Sequence, residues 1–296
     1  MTTDRLKIYD YSIALVLLAI TLISVSVTIV IMGILGIESY NFFQLVPVTD
    51  FLFGTQWEPF LEPKSFGVLP LITGTLIIVI GSSIIAIPSG IVIAAYLNEY
   101  ASKKTRKIIK PLLEILAGIP TVVYGYFALT FITPLIRNFL PDTQVFNGLS
   151  GAIVVGIMIL PMISSLCDDA FSSLPSSLKQ GGYALGAMPF EVVSQVIIPA
   201  AKNRIGASVI LAMSRAIGET MAVTLAAGAT AKLTLNPLES IQTMTAFIVQ
   251  VSLGDTQQGG AAYLTCFSVA GLLFLITFLL NIVGHKLMTQ SKHGGF

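Results

Sequence analysis

The sequence predicts an all-α integral membrane protein of six transmembrane helices, with both termini in the cytoplasm. Three observations predict it. Hydrophobic residues make up 54% of the 296 and charged residues only 10%. The mean hydropathy is +0.87, far above that of a soluble domain of this length. Six separate segments are apolar over the roughly 20 residues that a helix needs to cross about 30 Å of hydrocarbon.

The spans follow in order. Tyr11 to Ile37 carries no charge and has no small-residue cleavage pattern after it, so it stays as an anchor rather than a removed signal. About Phe66 to Asn98 is a long second span holding Pro70 and Pro88, which predicts a tilted or kinked helix. The third runs from about Pro111 to Ile136, the fourth from about Asn147 to Cys167, the fifth from about Ile205 to Ala231 and the sixth from about Ala261 to His285. Pro120 and Pro161 interrupt two of these, and the carbonyl that each frees must meet a neighbouring helix or a water-lined cavity.

Orientation follows from the cations in the short loops. With the N-terminus inside, Arg5, Lys7, Lys103, Lys104, Arg106, Lys107, Lys110, Lys179, Lys202, Arg204, Lys286 and Lys292 lie on the cytoplasmic side. Lys64, Arg137 and Lys232 lie outside. Aromatic residues between Tyr40 and Trp57 suit an interfacial belt or a solvated outer loop. The formal net charge of +1 gives no electrostatic footprint for nucleic acid. Cys167 and Cys266 lie in apolar segments and read as small buried hydrophobes rather than metal or redox groups.

Within the fifth span, "SRAIGETMAV" sets Arg215 and Glu219 four residues apart near the bilayer midplane. A charge there costs from about 2.5 kcal/mol upward, so it must face protein or water. Ser208, Ala212, Arg215, Glu219, Ala222 and Ala226 form one small or polar stripe at helical spacing, with Ser214 beside it. An ion pair that only pins helices is one reading. A substrate pathway for an anion is the other, and two arguments favour it: apolar residues usually replace a buried pair at no loss, and arginine before glutamate is the weaker helical order. Asp168, Asp169 and Glu114, near inner helix ends, read as interfacial carboxylates.

The segment from Phe171 to Arg204 is too apolar for an idle loop. Ser172 or Ser173 can cap a helix starting near Pro175, Gly186 can end it, and Pro189 can start another; Leu174, Leu178, Gly182 and Leu185 share a face. The order Gln180, Gly181, Gly182, then Gly186, then Val196, Ile197, Ile198 and Pro199 resembles the coupling-loop signature of ABC importer permeases, with glutamine and two glycines in place of that signature's glutamate and two alanines. "FGVLPLITGTL", "LLEILAGIPTVVYGYFAL", "GIMILPMISSLCDDA" and "SRAIGETMAV" are similar to the PstC type of permease from high-affinity phosphate importers.

That resemblance implies an N-terminal helix (1–37), an external loop (38–65) and a five-helix ABC importer permease core (66–296) whose coupling loop, at about 172–204, docks on the ATPase. It also implies alternating access in a multi-pass subunit of the bacterial plasma (inner) membrane. The implied partners are a second permease of PstA type, two ATPases of PstB type that hold ATP and magnesium, and an external phosphate-binding protein of PstS type. No phosphate loop or catalytic constellation occurs in the sequence, so neither enzyme activity nor a cofactor is expected of this chain. A permease for sulfate or molybdate, the PstA-side subunit, or an ion-coupled transporter using Glu219 are the alternatives.

Overall fold

A computed structural model describes residues 3–254 and 259–293 of the chain. The side chains of Arg5, Lys7, Lys292 and His293 lie outside what is described. Among the described residues, five helices are long and apolar enough to cross a membrane, and six if one bent pair counts as a span.

Helix α1 (Thr3–Leu45) runs beyond the expected boundary at Ile37. Its apolar side chains face away from protein, with Leu18 59% and Ile23 64% exposed, as expected of a lipid-facing helix. It meets the last helix, α13 (Ala261–His293), where Gly271 leaves room for Ser39 and the Ser39 hydroxyl donates to the Phe267 carbonyl at 3.1 Å.

Between α1 and the bundle lie α2 (Val48–Phe53) and a two-stranded antiparallel ribbon, β1 (Trp57–Glu58) with β2 (Ser65–Phe66). The aromatic residues here divide: Tyr40 and Phe53 are exposed, as a belt or an outer loop requires, and the others turn inward. Phe42, Phe51 and Trp57 are buried in a second core, and the Trp57 ring meets Phe247 edge-on at 4.8 Å. Edge-on ring pairs of this kind add about 0.5–1.5 kcal/mol each beyond the burial itself.

Helix α3 (Leu69–Ala95) continues through a π-turn at Tyr96–Tyr100; Pro70 sits in its first turn and Pro88 inside it without breaking it. The expected third span is two arms. Helix α4 (Lys103–Gly118) meets α5 (Thr121–Phe127), a π-turn (Ala128–Ile132) and α6 (Thr133–Phe139) at a bend of 89°. Pro120 explains the bend: it has no N–H to give, and it holds Ile119 extended at ψ 130. No residue of α4 is buried.

Helix α7 (Gly148–Ser172) is capped by Asn147, whose side chain accepts from the Ser150 N–H at 2.8 Å, and it contains Pro161 without interruption, contrary to expectation. It packs on α3 to form the centre of the bundle. A Cβ at Gly90 would stand 2.6 Å from Ile163 Cγ2 and one at Gly156 3.2 Å from the Ser82 carbonyl, so these glycines set the close approach.

The segment expected in the cytoplasm folds as α8 (Ser176–Ala184), α9 (Pro189–Glu191), a π-turn (Val192–Ile197) and α10 (Ile198–Ile217). The expected fifth span is corrected at both ends: its helix starts at Pro189 and stops at Ile217. After the break come two short helices, α11 (Met221–Ala227) and α12 (Met244–Leu253), the latter in what reads as outer loop. The broken backbone is satisfied locally. The Glu219 carboxylate accepts from the Ala222 N–H at 3.2 Å at the start of α11, and the Thr245 hydroxyl donates to the Glu219 carbonyl at 2.7 Å.

Candidate functional site

A cavity of about 510 Å³ opens between four elements. Lys110, Leu113, Glu114 and Ala117 recur at helical spacing on one face of α4, and Met158, Pro161, Ser165 and Asp168 do so on α7; Leu97 of the π-turn and Arg215 of α10 complete the wall.

Arg215 lies in the last turn of α10, where unpaired carbonyls favour a cation. Its side chain is exposed to this cavity and, among the described residues, has no hydrogen bond or ion pair. Glu219 is not its partner. The helix ends between them, so the four-residue spacing no longer sets them on one face, and Glu219 is buried against α11. The stripe read from the sequence therefore dissolves at Gly218.

Ser208 lies elsewhere: its hydroxyl donates to the Arg204 carbonyl at 2.9 Å, and it borders a second cavity of about 360 Å³ with Asp169, Arg204 and His285. The Ser214 hydroxyl is buried without a partner, and so is that of Ser164, which lines the Arg215 cavity. A buried hydroxyl left unpaired costs about 1–3 kcal/mol, a cost that a polar ligand or water can relieve.

Sequence reasoning missed Lys110, Ser164 and Ser165 as lining residues. It read Glu114 as interfacial, yet Glu114 is exposed to the Arg215 cavity and, like Arg215, has no partner among the described residues. The signal was the face of α4 through Lys110, Glu114 and Ala117. Asp168 is likewise no surface carboxylate. Its side chain is 2% exposed and holds Lys110 at 2.6 Å and Arg106 at 2.9 Å.

The segment from Phe171 to Arg204 keeps much of its expected punctuation. Pro175 precedes α8, Gly186 follows it at φ 84, Pro189 opens α9 and Pro199 lies in the first turn of α10. The Met188 N–H donates to the Glu191 carboxylate at 2.7 Å and fixes the second start. Neither Ser172 nor Ser173 caps α8, because both lie at the end of α7, where Ser173 is the C-cap and its hydroxyl donates to the Ala170 carbonyl at 2.7 Å. Gln180 is exposed, Gly181 faces open space, and Gly182 faces Val192.

Leu185 does not share a packed face with Leu174. It is 91% exposed and, with Met188 at 70% and Phe190 at 71%, makes an apolar knob of the kind that marks a protein contact. Burial first, and then the neighbouring Glu99 and Tyr100, push the Tyr183 phenol up.

Residues 86–289 match the family described as binding-protein-dependent transport system inner membrane component. The chain belongs to this family. It is a non-catalytic, multi-pass inner-membrane permease subunit of an ABC importer, and such a permease works with an ATPase and a substrate-binding component. That membership removes the ion-coupled alternative.

The permease is 36% identical to the probable ABC transporter permease protein YqgH of Bacillus subtilis, over 93% of this chain and 88% of that one. It is 33% identical to the phosphate transport system permease protein PstC of Mesorhizobium japonicum, over 81% of this chain and 78% of that one. To the protein of the same name from Haemophilus influenzae it is 32% identical, over 82% of each. Among solved structures, the inward-facing MetNI methionine ABC transporter shares the fold with a TM-score of 0.55 at 17% identity, covering 76% of this chain and 94% of that one.

Proposed function

We propose that this permease is the PstC-type subunit of an importer for inorganic phosphate. The observation that carries the proposal is Arg215: a guanidinium exposed on a cavity wall, with no hydrogen bond or ion pair among the described residues. A charge left unpaired in such a place is held for an ionic visitor, and its sign selects an anion. The names of the PstC relatives support phosphate over other oxyanions.

The proposed pathway comprises Arg215 with Ser164 and Ser165 as hydroxyl donors, and Glu114 across the cavity as the charge that keeps binding weak enough for release. Glu219 and Ser214 act on this route through the break that they flank, and Ser208 borders the inner cavity beside it. The coupling loop, with Gln180, Gly181, Gly182, Gly186, Pro189 and Pro199, seats on the ATPase through the knob at Leu185, Met188 and Phe190. Partners are a PstA-type permease, two PstB-type ATPases that hold ATP and magnesium, and a PstS-type binding protein. Both termini face the cytoplasm on the strength of the loop cations.

The test is ATP-driven uptake of radiolabelled phosphate into proteoliposomes holding the whole complex, with sulfate and molybdate as competitors. Phosphate uptake that Arg215→Gln abolishes supports the reading. Uptake driven by sulfate or molybdate instead moves the cargo assignment, and undiminished uptake by Arg215→Gln ends the role of Arg215.

A further inference from the structure

We propose that Lys179, Asn98 and Asp168 form a positioning relay that ties the coupling helix α8 to α4, one wall of the cavity that Arg215 borders. The inference rests on the reading of α8 as the ATPase-docking element.

The relay is a continuous run of polar contacts. Lys179 Nζ on α8 donates to Asn98 Oδ1 at 2.6 Å and pairs with Glu99, both residues of the π-turn that ends α3. Asn98 Nδ2 donates to Asp168 Oδ1 on α7 at 3.2 Å and to the Ser172 hydroxyl at 2.9 Å. Asp168 Oδ2 holds Arg106 at 2.9 Å and Lys110 at 2.6 Å, both on α4.

Three features separate this run from an ordinary surface network. Its carboxylates are buried, with the Glu99 side chain 8% and that of Asp168 2% exposed, so screening by water is weak at the hubs while the cations remain partly wet. Neither helix that it joins has a core of its own: no residue of α4 or α8 is buried. Apart from the contact of the Tyr124 hydroxyl with the Leu116 carbonyl at 2.6 Å near its far end, α4 is held in polar fashion by Asp168 alone among the described residues. The middle of the run sits on a π-turn, a wider turn that often marks functional positions.

A displacement of α8 therefore has a direct mechanical route to α4. Lys179 pulls on Asn98 and Glu99, Asn98 is bonded to Asp168, and Asp168 grips the charged face of α4, whose Lys110 and Glu114 line the cavity with Arg215. The α3–α7 pair between them is packed tightly enough at Gly90 and Gly156 to carry force without absorbing it.

The experiment uses the complete complex in proteoliposomes and compares wild type, Lys179→Met and the exchanged pair Lys179→Glu with Glu99→Lys. It reads the ATPase retained on purification, basal hydrolysis, and phosphate transported per ATP. A spin-label pair at Lys107→Cys and Ser177→Cys, in both the wild-type and Lys179→Met backgrounds, follows the distance between α4 and α8. The relay predicts that Lys179→Met keeps the ATPase and basal hydrolysis, loses at least fivefold in phosphate per ATP, and no longer shows the ATP-dependent change in that distance. The exchanged pair should recover more than half of the coupling. Normal coupling in an intact Lys179→Met complex overturns the relay alone. Loss of the ATPase from both variants reduces the contact to a structural clamp and also overturns it. An ATPase absent from the wild-type complex sinks the docking reading, and the relay with it.

Discussion

Lys110 and Asp168 meet at 2.6 Å on the wall of the same cavity that Arg215 borders without a hydrogen bond or ion pair among the described residues. The two cations thus have different work. Lys110 spends its charge on a buried carboxylate and fixes α4, whereas Arg215 offers its charge to the space between the helices.

Replacing Arg215 by Gln should lower phosphate uptake at least tenfold. Thermal stability of the purified complex should change by less than about 0.5 kcal/mol, because no hydrogen bond or ion pair among the described residues is lost. Lysine at this position should fall between the two, keeping the charge without the planar fork that grips an oxyanion in two places. A large loss of stability in Arg215→Gln would show that the side chain is packed rather than waiting.

Asp168→Ala should do the reverse and destabilise the subunit. Breaking a fully buried pair costs about 3–5 kcal/mol, but Arg106 and Lys110 are 36% and 41% exposed and can rehydrate, so about 1–3 kcal/mol is expected. Differential unfolding of the purified complex measures it. Arg106→Gln, which leaves Lys110 on the carboxylate, should cost clearly less.

The segment proposed to seat on the ATPase gives a third expectation. Leu185→Asp or Phe190→Asp should lose the ATPase on purification while the permease remains folded, since both side chains already face solvent in the isolated subunit. Gly186→Ala should cost about 1–2 kcal/mol locally, because φ 84 strains any residue with a Cβ. Co-purification and limited proteolysis of residues 176–191 report the two effects separately. Retention of the ATPase by both aspartate variants would move the docking surface elsewhere.

Much of this molecule was legible in its residues. The long apolar runs of α3, α7 and α13, the punctuation at Pro175, Gly186 and Pro189, and the exceptional cost of Arg215 all come from local rules. What stayed hidden depends on distant partners. Asp168 looks interfacial until Arg106 and Asn98, 62 and 70 residues earlier, fold back onto it. "SRAIGETMAV" keeps a helical rhythm through Gly218, and only the cap that Glu219 makes for α11 shows that the helix stops there. The aromatic run near Phe51 suited an interface equally well until Phe247 of α12 supplied its partner.

Outside the spans, Lys232 Nζ donates to Glu239 Oε2 at 2.6 Å in the loop between α11 and α12, and Asn236 donates to the other carboxylate oxygen at 3.3 Å. The hydrogen bond from Lys232 is the main cause that holds the Glu239 carboxyl below the ordinary glutamate range. A depressed carboxyl stabilises the fold above its unfolded value, and that contribution disappears as pH falls through the folded value. The loop rests on the start of α7, where the Leu149 N–H donates to the Pro237 carbonyl at 2.7 Å and the Gly148 N–H to the Glu239 carbonyl at 3.1 Å. Acidification below the usual glutamate range should therefore loosen residues 232–240 while the middle of α7 stays protected. Carboxyl carbon-13 NMR of Glu239 should show a depressed midpoint, and Lys232→Met should raise it and flatten the pH dependence of amide protection in the loop. High salt should act in the same direction as Lys232→Met, because the pair is exposed enough to be screened. An unchanged midpoint in Lys232→Met would assign the shift to Asn236 and Thr234 instead.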